Sequence, residues 1–180
     1  MGNTTLTHNC HNELLRLSSA KSMEISLEQV HNGKAGLSKH REAILTRVPH
    51  QNAWAFFSKG SISMKDIAFL TARTGDEFAI LTGKKEDILF HGSRYHCVFS
   101  DDLSDMLIKG QFRLYGHSHP GERFPMPSYN DRDTLRRIGQ KKSRLVSAVT
   151  GREIEFTDNA FENRHDEHVQ ERSEFGDVDS

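Results

Sequence analysis

Cysteine is nearly absent: Cys10 and Cys97 are the only two in 180 residues, and they share no metal-binding spacing. A disulfide framework is excluded, which fits a reducing compartment. No apolar run approaches the roughly 20 residues of a membrane span. The N-terminus, MGNTTLTHNC, has neither the basic start nor the apolar stretch of a secretory leader. Leu6 stands where a myristoylation signal needs Ser or Thr. The expected location is cytoplasmic, or outside the cell as an effector exported without such a leader. A Pro-Cys-x-x-Cys run is missing, which excludes a cytidine-type deaminase. No phosphate-binding loop exists either, because Gly83-Lys84-Lys85 lacks both the spacing and the hydroxyl. Basic stripes with interleaved aromatics are absent, so neither nucleic acid nor membrane is expected as a partner. Hydrophobic residues make up only 35% against 27% charged, which predicts that part of the chain lies outside a packed core.

Net charge is −1, but it is unevenly spread. Residues 158–180 carry eight acidic groups against Arg164 and Arg172, which leaves a surplus of five positive charges upstream. That tail has no apolar period and reads as disordered or a loose helix, with His165 and His168 as solvated side chains. Residues 1–50 read as a helical extension, two short helices being suggested by a patchy pattern from Leu14 to Val30. Asn32-Gly33 breaks it, and a further helix through LSKHREAILTRV ends at Pro49. His8, Cys10 and His11 lie close together there, and an exposed polar terminus is their simpler explanation. Three segments follow: an extension over 1–50, a domain over 51–157 and an acidic tail over 158–180.

Within the domain, NAWAFFS reads as a strand with Trp54, Phe56 and Phe57 in the core. Ser61 or Ser63 caps a helix through MKDIAFLTAR. GDEFAILTG is a second strand, EDILFHG a third and RYHCVFS a fourth. Ser100 or Asp101 caps a short helix that Gly110 stops. QFRLYG is a half-buried strand with Phe112 and Leu114 alternating against Arg113 and Tyr115. A helix spans 128–140, and SRLVSAVTG with REIEFTD forms a hairpin across Thr150-Gly151.

The stretch GHSHPGERFPMPSYNDRDTLRRIG, from Gly116 to Gly139, organises the rest. His117 and His119 at i and i+2 point the same way on an extended backbone. Ser128 and Asp131 share a face of a helical first turn. With eleven histidines, one His-x-His is expected about 0.7 times per random chain, so the pair alone decides nothing. A following proline and a Ser-x-x-Asp at this offset reduce that to roughly 3 in 10,000. Two imidazoles and a carboxylate are a catalytic zinc's usual protein share. Ser128 and Asp131 also suit a helix N-cap with a carboxylate at its third position, a reading compatible with the first.

GHSHP followed by PSYND resembles the zinc metalloprotease motif of the JAMM (JAB1/MPN/Mov34) family: His-x-His-Pro, a loop, then Ser-x-x-Asp. The resemblance covers about residues 53–156. It implies an α/β fold, a JAMM-type (cytidine-deaminase-like) mixed β-sheet flanked by helices. It implies zinc held by His117, His119 and Asp131. Asp133 stays open as an alternative ligand, because this loop has eight residues between His119 and Ser128 where the family has seven. The family's upstream glutamate matches Glu77, with Asp76 beside it as the competing candidate. On this resemblance Glu77 is the proton-transferring base, and Ser128 hydrogen-bonds the oxyanion or the attacking water. Tyr115 and Tyr129 flank the ligands as candidate cleft residues. The implied activity is zinc-dependent hydrolysis of a peptide or isopeptide bond in a protein substrate, ubiquitin-like proteins included. TARTGDEFAILTG with GHSHPG looks most like prokaryotic toxin-associated JAB domains. Two alternatives stand beside this: a non-catalytic MPN-like interaction domain, and a zinc hydrolase of a non-peptide substrate. The oligomeric state is open.

Overall fold

The computed structural model describes residues 4–159, with side chains from residue 13 onward, Leu14 apart. Among these residues, five helices and six strands form a mixed α/β fold. The helices are α1 (Thr4–His31), α2 (Lys39–Arg47), α3 (Met64–Thr74), α4 (Asp101–Ile108) and α5 (Tyr129–Arg137). The strands are β1 (Trp54–Ser58), β2 (Phe78–Gly83), β3 (Glu86–His91), β4 (Phe112–His119), β5 (Lys142–Ser147) and β6 (Glu153–Thr157). They make one sheet in the order β1-β3-β2-β4-β5-β6, antiparallel except for the β4–β5 pair that α5 connects.

The central strand explains the layering. In β2, Phe78 and Ile80 join one apolar cluster while Ala79 and Leu81 join another, so both faces of the sheet are covered. One cluster gathers α1, α2 and α3 through Leu27, Val30, Ile44, Ile67 and Leu70. The other gathers α4 and α5 through Leu103, Leu107 and Leu135. The N-terminal extension is thus built into the core rather than appended to it. Residues 4–31 form one helix instead of the two expected, because no Gly or Pro interrupts them before Gly33, which takes φ +69°.

Three other expectations change. The segment RYHCVFS is not a strand: Ser93 closes a turn, its N–H and Oγ both donating to the His96 carbonyl, and the chain runs as a loop to Ser100. Of the three β1 aromatics only Phe57 is buried; Phe56 is 37% exposed on an edge strand, with Trp54 edge-on to it at 5.5 Å. Ser63 rather than Ser61 caps α3, in a reciprocal box with Asp66, and Ser100 caps α4. The His8, Cys10 and His11 side chains and residues 160–180 lie outside the described residues.

Candidate metal centre

β4 delivers the two histidines, and a bulge decides where they face. Ile80 pairs with Gly116, but Leu81 pairs with Leu114, so Tyr115 is the extra residue. Strict alternation from Leu114 would send His117 to the opposite face of the sheet. The bulge resets the phase, and Leu114, His117 and His119 all face the α5 side. Ser118 between them points to α3, where its hydroxyl meets Thr71 Oγ at 2.6 Å. Tyr115 itself turns out and accepts from Arg144, and Tyr129 is 73% exposed. Gly116 leaves room for the Met64 side chain, since a Cβ there would sit 2.6 Å from Met64 Sδ.

α5 delivers the carboxylate. Ser128 Oγ accepts from the Asp131 N–H at 3.1 Å, and Asp131 Oδ2 accepts from the Ser128 N–H at 2.6 Å. This box engages Asp131 Oδ2, which also lies 3.5 Å from His119 Nε2, and leaves Oδ1 facing His117. The cap and the ligand are therefore one arrangement. Asp133, two residues on, does not line the cavity over the triangle but the neighbouring hollow between α4 and α5.

The three donors form a compact triangle. His117 Nε2 lies 3.2 Å from His119 Nε2 and 3.0 Å from Asp131 Oδ1, and His119 Nε2 lies 3.5 Å from Asp131 Oδ2. A tetrahedral zinc with bonds of about 2.0–2.1 Å separates its ligands by roughly 3.3 Å. The observed edges match that size, and the donor set of two imidazoles and a carboxylate suits the same ion. Both histidines are buried.

Glu77 sits one residue ahead of β2, its N–H donating to the Ser93 carbonyl and its own carbonyl accepting from Gly92. Its carboxylate is 3.9 Å from His119 Nε2 and accepts from the Cys97 thiol. Burial pushes its pKa up to about 7, with the charges of His117 and His119 opposing. Asp76 faces away and accepts from His91 Nε2 and Gln51. At His119 burial works downward, but the hydrogen bond and charge of Asp131, with Glu77 and Glu122 adding, carry the pKa up to about 9. For Asp131 burial works upward, and hydrogen bonds from His117 and His119 outweigh it, holding the carboxyl far below its usual range. Burial and the neighbouring Glu77 push the Cys97 thiol up, so it stays protonated and donates.

Two residues of the site carry no signal in the motif. Glu122 Oε2 lies 3.1 Å from His119 Nδ1 and accepts a hydrogen bond from that ring N–H, so Nε2 is the atom that would face a metal. The turn at Gly121, φ +79°, brings Glu122 back onto the ring it follows by three residues. His117 has no such orienter among the described residues, where its buried Nδ1 finds no hydrogen-bond partner. The other residue is Cys97, on the loop misread as a strand. The cavity over the triangle is about 240 Å³ and is lined by Glu77, Tyr95, Cys97, Ser128 and Asn130 besides the ligands. No family model, curated protein or solved structure matches the chain.

Proposed function

We propose that the protein is a JAMM-type zinc hydrolase that cleaves a peptide or isopeptide bond in a protein substrate, ubiquitin-like modules being the substrate class implied by its motif. The observation that carries this reading is the triangle of His117, His119 and Asp131 with the raised-pKa carboxylate of Glu77 beside it.

His117 Nε2, His119 Nε2 and the Asp131 carboxylate would hold the zinc. When bound, the ion acts as a Lewis acid that acidifies a water and polarises a carbonyl. Glu77 accepts the proton of the attacking water and passes it to the departing amine. A pKa near neutrality suits both halves of that task. Ser128 Oγ receives the Asp131 N–H, which leaves its own hydroxyl proton to donate to the developing oxyanion. Glu122 keeps the His119 proton on Nδ1. A protein substrate is favoured over a small one by exposed apolar side chains: Tyr95 on the cavity wall, and Phe124, Met126 and Tyr129 on the chain between His119 and α5, are each more than half exposed. Such side chains cost exposure and are used by partner-binding surfaces.

The test is cleavage of ubiquitin-like fusion proteins by zinc-loaded protein. Zinc-dependent release of the C-terminal partner supports the proposal. Cleavage that survives chelation overturns the metal role, and turnover of other peptides alone overturns the substrate class.

A further inference from the structure

The extension helix α1 does more than fill the core. Its C-terminal half walls a second cavity of about 560 Å³, opposite the end of α3 and the turn between β5 and β6. That cavity and the one over the triangle share Arg94, Tyr95 and Pro120, so the two adjoin along these residues. A chain with its scissile carbonyl at the triangle passes these three residues and reaches the second cavity within a few residues.

The chemistry of the cavity selects what enters. Its floor is Leu27, Ala72 and Ala148, all buried, with Val149 half-buried at the side. Glu24 is already paired with Arg123. Glu28, His31 and Arg94 also line the cavity, but a charged side chain reaching its floor would lose water against apolar Leu27, Ala72 and Ala148. An apolar one would gain from burial, and the volume lies in the range of small-ligand pockets.

We propose that this cavity is a substrate subsite that takes a large apolar side chain, leucine-like or phenylalanine-like, within a few residues of the cleaved bond. The α1 extension is thereby a specificity element. This rests on the hydrolase reading, and two measurements separate the pair. The first is binding to the zinc-loaded full chain, read by backbone amide shifts on adding N-acetyl-leucinamide, N-acetyl-phenylalaninamide or N-acetyl-glycinamide. The leucine and phenylalanine amides should shift Leu27, Ala72 and Val149, and the glycine amide should not. Val149→Trp should fill the cavity and abolish those shifts while keeping the parent zinc content. Glu28→Trp, at an exposed helix position on the rim, plugs the same cavity if Val149→Trp does not fold. The second is cleavage of a mixed peptide library. One position within a few residues of the cleaved bond should favour Leu or Phe over Gly by about tenfold or more, and either plug should erase that preference. Equal response to all three amides, or a cleavage profile untouched by the plugs, overturns the subsite. Apolar amides binding without cleavage of any peptide supports the cavity as an apolar-ligand site and overturns the hydrolase reading instead.

Discussion

Replacing Glu77 by glutamine should make the metal-free protein more stable above neutral pH while removing the proposed hydrolase activity. The carboxyl is only 8% exposed, and burial raises its pKa from 4.5 to about 7. A raised acid favours the protonated folded state, so the unfolded chain ionises first as pH rises. The penalty is absent below about pH 4.5, grows through the window up to about pH 7 and is complete above it. At about 1.4 kcal/mol per tenfold, that gap costs the folded state ~3 kcal/mol. Glutamine has nearly the same shape, still accepts from Cys97 and never ionises. Urea unfolding of chelator-treated parent and Glu77→Gln should give matching stabilities near pH 4, to within about 0.5 kcal/mol. Near pH 8 the variant should lead by ~3 kcal/mol. Zinc loading should narrow the lead, because a cation beside the carboxylate stabilises its charge. Curves that stay parallel from about pH 4 to pH 8 would refute the buried, proton-holding Glu77.

Glu122→Gln should weaken metal binding about 10–100-fold, read by competition with a chromophoric chelator, because the carboxylate no longer holds the His119 tautomer. Unchanged affinity would leave Glu122 as a loop residue only. Ser128→Ala should cost about 1 kcal/mol of stability through the lost cap. It should lower zinc affinity as well, since the same box orients Asp131; Ser128→Asp should restore the cap and the stability but not turnover.

The sequence made the sheet's centre legible because Phe78 to Leu81 form an unbroken apolar run, which only a strand covered on both faces needs. Helix starts were legible for a similar local reason: Ser38, Ser63, Ser100 and Ser128 each accept a hydrogen bond from the backbone three residues on. The site was legible as far as its chemistry is local. His117 with His119, and Ser128 with Asp131, carry their geometry in their spacing. What needs tertiary contact was not. The bulge at Tyr115 leaves no residue signature, yet it chooses the face of both histidines. The loop from Ser93 to Phe99 has a strand-like composition, and only the absence of a pairing neighbour, with the turn at His96, makes it a loop. Cys97 reaches Glu77 for that reason. Glu122 was hidden because its role depends on the left-handed turn at Gly121. Leu27 and Val30 carried a helical period but no hint that α1 would wall a cavity beside the cleft.

The central claim is the metal triangle, and elemental analysis of the purified protein tests it most directly. Parent protein should carry about one zinc per chain, as should Asp133→Ala, while His119→Ala and Asp131→Ala carry almost none. Zinc-free, folded parent protein that takes up no added metal would contradict it, as would full zinc content in Asp131→Ala.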